Sequence, residues 1–127
     1  MKKGKVILNN VRASSQYPDA ITFNIARKPI KGMEQLISLA PSWDIINLVK
    51  NAKNVADVWD EYVTRYNEEL STQANLNTVL WTISYFLELG YDVQFVCFCT
   101  NPKYCHRSIV GEMFENRGYE VIGKTKE

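Results

Sequence analysis

The run "YDVQFVCFCT", from Tyr91 to Thr100, constrains the fold more than any other stretch of the chain. It is apolar at nearly every position, which does not suit an edge strand with one wet face; a strand of this kind is covered on both sides. A helical pattern follows, with Ile109, Val110, Met113 and Phe114 facing inward and Gly118 as its stop. "YEVIG" then closes as a short strand. Strand, helix, strand implies a crossover connection, expected to be right-handed, in a parallel or mixed sheet.

The rest of the chain fits the same plan. "KVILNN" is expected as a short buried first strand and "ITFNIA" (Ile21 to Ala26) as a second, joined by the turn-rich surface loop "RASSQYPDA". Ser42 is placed to cap a helix running to about Val49, with Pro41 just outside it. From Val55, the apolar residues Val58, Trp59, Tyr62, Val63, Tyr66 and Leu70 recur at spacings of three and four, and charges fill the other face of this amphipathic helix. A third helix has Leu76, Val79, Leu80, Ile83, Phe86 and Leu87 on one side and ends at Gly90. With 127 residues and no long Gly/Ser linker, the expectation is a single α/β domain. Its sheet is small, parallel or mixed, of about four strands, with helices packed on it.

Charge and cysteine content narrow the function. A net charge of +1 leaves no protein-wide field to attract nucleic acid or an anionic membrane, so any phosphate recognition must be local. The N-terminal apolar run, Val6 to Leu8, is too short for a signal peptide or a spanning helix. Three cysteines, an odd number without a secretion signal, argue for a reducing compartment. The expectation is a cytoplasmic protein with no membrane partner.

All three cysteines and the single histidine fall in "CFCTNPKYCHRS", between a strand end and a helix start. Ligands of α/β sheets bind beyond the carboxyl ends of the strands, where Cys99 and Thr100 lie. Cys105, His106, Arg107 and Ser108 open the following helix, whose free amides and dipole attract anions. Arg107 adds a planar fork for phosphate or carboxylate, and the same field favours the Cys105 thiolate. Catalytic candidates are therefore Cys105, Cys99 and His106. Cys105 and His106 are neighbours, however, and neighbours within a helix point about 100° apart. A phosphatase loop fails on its residues, because position 105, six after Cys99, is cysteine rather than arginine, and position 111, six after Cys105, is glycine.

Strand alternation puts Cys97 and Cys99 on one face, so Cys97, Cys99, Cys105 and His106 form a conceivable zinc set. The C-x-C spacing inside a buried strand counts against it, and no resident metal or cofactor is expected. Each residue also has a plainer reading. Cys97 is best taken as a small buried hydrophobe, His106 as a cap, and Arg107 as the partner of Asp92 or a glutamate. Tyr17, Trp43 and Tyr104 are candidate pocket walls, although aromatics in a small domain are more often core.

A strand ending in cysteine, a short proline-containing loop, "CHRS" opening a helix, and "RGYEV" together resemble the bacterial family called domain of unknown function 488, with its YeaO-like branch. "LISLAPSWDIINLVKN" followed by "VWDEYVTRYNEEL" is similar to that branch's pattern of "LAPS" before a tryptophan and an "RY..EL" helix. The start, "LNNVR", resembles the family's first strand ending in "VDVR", which places Arg12 at its arginine. This chain has Asn10 where the family has aspartate, and "ASSQYP" replaces the family's "PRS" or "WPRG" segment. The resemblance implies an α/β domain in which the first strand and the cysteine strand end together, bringing Arg12 near Cys99, Cys105, His106 and Arg107. The leading functional expectation is a domain binding a phosphate-bearing small molecule, a nucleotide or a nucleic-acid end, through Arg12, Asn10, Thr100, Arg107 and Ser108. The alternatives are a cysteine-dependent enzyme using Cys105 or Cys99 with His106, and a structural or interaction protein.

Overall fold

The computed structural model describes residues 2–124. Five strands form one parallel sheet: β1 (Val6–Asn10), β2 (Ile21–Asn24), β3 (Glu34–Gln35), β4 (Val93–Cys97) and β5 (Val121–Ile122), in the order β3-β2-β4-β1-β5. The apolar run singled out in the sequence is the central strand β4, buried at all five positions between β2 and β1. Its partners end level with it: Asn10 pairs with Cys97 and Asn24 with Val96. The α/β expectation is met with one strand more than the four anticipated. The addition, β3, is a two-residue pairing of Glu34 and Gln35 with β2, too short and too polar to leave a period-2 pattern.

Four helices accompany the sheet: α1 (Trp43–Lys50), α2 (Val55–Thr72), α3 (Leu76–Glu88) and α4 (His106–Glu115). Ser42 caps α1 as expected, its hydroxyl accepting the Ile45 N–H, and Gly90 and Gly118 follow α3 and α4 with positive φ. Ile45, Tyr62, Tyr66, Leu70, Leu80, Ile83, Leu87, Val110 and Phe114 join Val6, Leu8, Val93, Phe95 and Cys97 in one hydrophobic core. Since Val93, Phe95 and Cys97 alternate with Gln94 and Val96, this core lies on one face of the sheet. On the other face Gln94, fully buried, donates to Thr22 Oγ1 at 2.9 Å and accepts from Asn9 Nδ2 at 2.9 Å. α4 approaches β1 closely at Gly111, where a β-carbon would lie 2.6 Å from Leu8 Cδ1. That contact sets the start of α4 against the ends of β1 and β4. No helix of the described residues is long and apolar enough to cross a membrane.

Candidate active site

The chain between β4 and α4 turns back on itself. Asn101 caps a 3-10 turn (Pro102–Tyr104), and Cys105, with extended backbone at φ −142° and ψ 139°, forms the N-cap of α4. This return brings the Cys105 sulfur to 2.9 Å from that of Cys97, and the Sγ atoms of Cys97, Cys99 and Cys105 all lie within 4.8 Å of one another. Cys97 and Cys105 are buried and Cys99 is half-buried; all three are free thiols.

Arg107 points inward rather than to solvent, with only 4% of its surface exposed. Its Nη1 donates to Cys97 Sγ at 3.3 Å, Cys99 O at 2.8 Å and Asn9 O at 3.2 Å. Its Nε is buried with no partner among the described residues, so the guanidinium acts here through Nη1. Asn10 secures the same carbonyl from the other side, donating from Nδ2 to Cys99 O at 2.8 Å while its Oδ1 accepts the Arg12 N–H. An aspartate at position 10 could not make that donation.

Three thiols this close in a buried site cannot all ionise, because like charges in low dielectric repel. Cys97 is the one favoured as thiolate: hydrogen bonding from Cys105 and then Cys99 pulls its pKa far down against the opposing effect of burial, with the Arg107 charge adding to the pull. Cys105 is pushed well above the ordinary thiol range, by burial first and then by its bonds to Cys97 and Cys99. For Cys99 the hydrogen bond with Cys105 pulls downward, but Cys97 and burial outweigh it and leave this thiol raised to about 12.

His106 is also buried, and its Nε2 lies 2.7 Å from Ile25 O. A carbonyl only accepts, so Nε2 carries the proton and Nδ1 is left bare, 3.8 Å from Cys105 Sγ. Burial lowers the histidine's pKa and keeps it neutral. The splay expected of helical neighbours does not apply to this pair, because Cys105 stands outside the helix. Cys97, Cys105 and His106 Nδ1 thus form a chain of groups along which a proton can pass.

The remaining sequence candidates are placed differently. The Ser108 hydroxyl is engaged with the carbonyls of Pro102 and Lys124, pinning the loop. Thr100 and Arg12 are exposed. Neither lines the cavity of about 360 Å³ that opens beside the cysteines. That cavity lies between the ends of β2 and β4 and helices α1 and α2. Its floor has Cys97, Cys99 and His106, and its walls include Trp43, Tyr62 and Tyr104. Two of the three aromatic candidates are therefore at the site, and Tyr17 is not among the lining residues. Sequence reasoning missed Cys97 as a site residue; the available signal was its alternation with Cys99.

As metal ligands the three sulfurs are close enough for a soft ion. Sulfurs bound to one tetrahedral zinc, with Zn–S of about 2.3 Å, stand roughly 3.8 Å apart. The 2.9 Å pair is tighter than that, and a guanidinium already occupies one side of Cys97.

The family described as the active DUF488-N3 subclade, DUF488-N3a, matches residues 9–118. The chain belongs to this family. The matched span holds the end of β1, all three cysteines, His106 and Arg107, so the DUF488-N3a match covers the whole cluster and bears out the resemblance drawn from "CHRS", "LAPS" and "RGYEV". No curated protein and no solved structure matches the chain.

Proposed function

We propose that the chain is an enzyme whose nucleophile is the Cys97 thiolate, acting on a small molecule held in the cavity between α1, α2 and the strand ends. The supporting observation is the setting of Cys97 Sγ: at the end of the central strand, in contact with Cys105 Sγ and Arg107 Nη1, and forming part of the cavity floor. A thiolate is the reactive form of cysteine, and a cation plus thiol donors are what hold one at neutral pH. The family's description as an active subclade is in keeping with a catalytic site.

The step this arrangement serves is displacement at an electrophilic carbon. Cys97 Sγ supplies the electron pair of a new S–C bond, and the leaving group departs with the pair of the broken bond. That group takes its proton from solvent or from the Cys105–His106 chain. Water then cleaves the S–C bond, adding hydroxyl to the carbon and releasing a proton and the thiolate. Arg107 and Asn10 are positioning residues that hold Cys99 O and the loop behind the sulfur.

Alkylation by iodoacetamide, mapped peptide by peptide across pH, tests this reading. Cys97 is expected to react with a midpoint well below the free-thiol value of about 8.5. A Cys97 that alkylates no faster than a free thiol near neutral pH, while the ultraviolet absorbance of the native protein shows no thiolate, would remove the basis of the proposal.

A further inference from the structure

The cavity has a composition that neither the thiolate nor the core requires. Three cations, Arg27, Lys28 and Lys50, stand in its lining together with four aromatic residues, Trp43, Tyr62, Phe98 and Tyr104, and no carboxylate. Arg27 is tied down through Nε to Pro41 O at 3.0 Å and through Nη2 to Ala40 O at 3.0 Å. The two lysines each sit over an aromatic ring instead: Lys28 Nζ is 5.9 Å from the Phe98 centroid and Lys50 Nζ is 5.8 Å from that of Trp43. No ion pair engages either lysine among the described residues. Trp43 and Phe98 remain 53% and 46% exposed, unusual for such large apolar side chains in a cavity wall.

We infer that the cavity binds a planar aromatic ring carrying a phosphate, with the ring inside among Tyr62, Tyr104 and the cysteines and the phosphate at the mouth between Lys28 and Lys50. The volume, about 360 Å³, falls at the small end of ordinary ligand pockets and suits a body of one or two rings. Aromatic walls favour a flat apolar body, since stacked and edge-to-face contacts add to the burial of area. Lysines without an ion-pair partner among the described residues, in a lining that holds no carboxylate, favour an anion. The orientation follows from charge. A phosphate at the floor would meet the Cys97 thiolate, whereas at the mouth it meets two ammonium groups and leaves the ring facing the sulfur. Nucleoside monophosphates are the common soluble molecules of this chemistry, and aryl phosphates share it without the ribose.

This assignment rests on the cavity being the substrate site of the thiolate enzyme, yet it is tested by binding alone. The probes are AMP, UMP, phenyl phosphate, adenosine and inorganic phosphate, titrated calorimetrically and by thermal shift on the full chain. At least one ring phosphate is expected to raise the melting temperature and to bind at least tenfold more tightly than adenosine or inorganic phosphate. Its affinity should fall with added salt. The double substitution Lys28→Gln with Lys50→Gln lies on the surface, so the free protein keeps its melting temperature while ring-phosphate affinity drops at least tenfold. Tyr104→Ala is expected to weaken the ring phosphates and leave inorganic phosphate unchanged. Cys97→Ser removes the nucleophile and retains binding, which separates failure of this assignment from failure of the thiolate reading. Absence of binding by all three ring phosphates, or equal affinity in the double lysine variant, overturns the inference.

Discussion

Replacing Arg107 by methionine removes the guanidinium that contacts the cysteine cluster while filling much of its volume. Three acceptors lose one donor each, Cys97 Sγ, Cys99 O and Asn9 O, although Cys99 O keeps Asn10 and Cys97 Sγ keeps Cys105. A hydrogen bond from a charged group contributes roughly 1.5–3 kcal/mol, and removing one partner of a buried charge pair costs about 3–5 kcal/mol. Protonation of Cys97 limits that loss, at about 1.4 kcal/mol for each pH unit its pKa lies below the buffer. The expected destabilisation is therefore about 3–5 kcal/mol, roughly 10–20 °C in melting temperature for a domain of this size. Arg107→Lys keeps the charge without the fork and is expected to lose about 1–2 kcal/mol. Urea unfolding at neutral pH, followed by circular dichroism, reads the stability, and ultraviolet absorbance of the folded protein reads the thiolate. A methionine variant within about 1 kcal/mol of wild type that keeps its thiolate would refute the coupling of Arg107 to Cys97. If the methionine variant does not fold, the same comparison is made on the lysine variant, in which an unchanged stability and an unchanged alkylation midpoint for Cys97 have the same force.

Acid is expected to destabilise the fold in two stages. Burial lowers the His106 pKa, so its contribution is fully present above the unfolded value of about 6.5 and is lost as pH falls through the folded value. Cys97, also lowered, makes stability rise with pH up to the free-thiol value of about 8.5, above which the raised Cys99 and Cys105 reverse the trend. Stability measured across this range should peak near that value. In His106→Gln the extra loss below about pH 6.5 disappears, and its persistence would assign it elsewhere. At Gly123, φ is 85° and a β-carbon would lie 2.2 Å from Leu8 O, whereas at Gly118 φ is 94° with open space around it. Gly123→Ala is therefore expected to cost about 2 kcal/mol or more and Gly118→Ala about 1, and equal losses in urea unfolding would contradict the packing of β5 on β1. Elemental analysis of purified protein is expected to find metal well below one equivalent; a full equivalent of zinc removed by Cys97→Ser would replace the nucleophile reading with a metal site.

How much of this was legible in the sequence differs from residue to residue. The central strand announces itself because β4 is buried on both faces and has no polar alternation to hide. Ser42 and the three-and-four spacing of α2 fix their helices locally, without help from the rest of the chain. β3 leaves no pattern because it is only two polar residues long, Glu34 and Gln35. The site divides in the same way. Alternation sets Cys97 beside Cys99, but the contact with Cys105 depends on a seven-residue return whose course is set by tertiary packing. An arginine at the second position of a helix is normally solvated, so nothing local turns Arg107 inward; the carbonyl ends of β1 and β4 do that. Lys28 and Lys50 lie on separate segments of the sequence and are brought into one cavity lining only by the tertiary fold.

If the site works as proposed, one sulfur of the three is ionised in the native protein and it is that of Cys97. Ultraviolet thiolate absorbance, titrated from about pH 5 to 9 in wild type and in the three single Cys→Ser variants, measures it without requiring access of a reagent to the buried sulfur. The expected result is one equivalent of thiolate already present at about pH 6, kept in Cys99→Ser and Cys105→Ser and lost in Cys97→Ser. No thiolate below about pH 8, or a thiolate that persists in Cys97→Ser, would contradict the account.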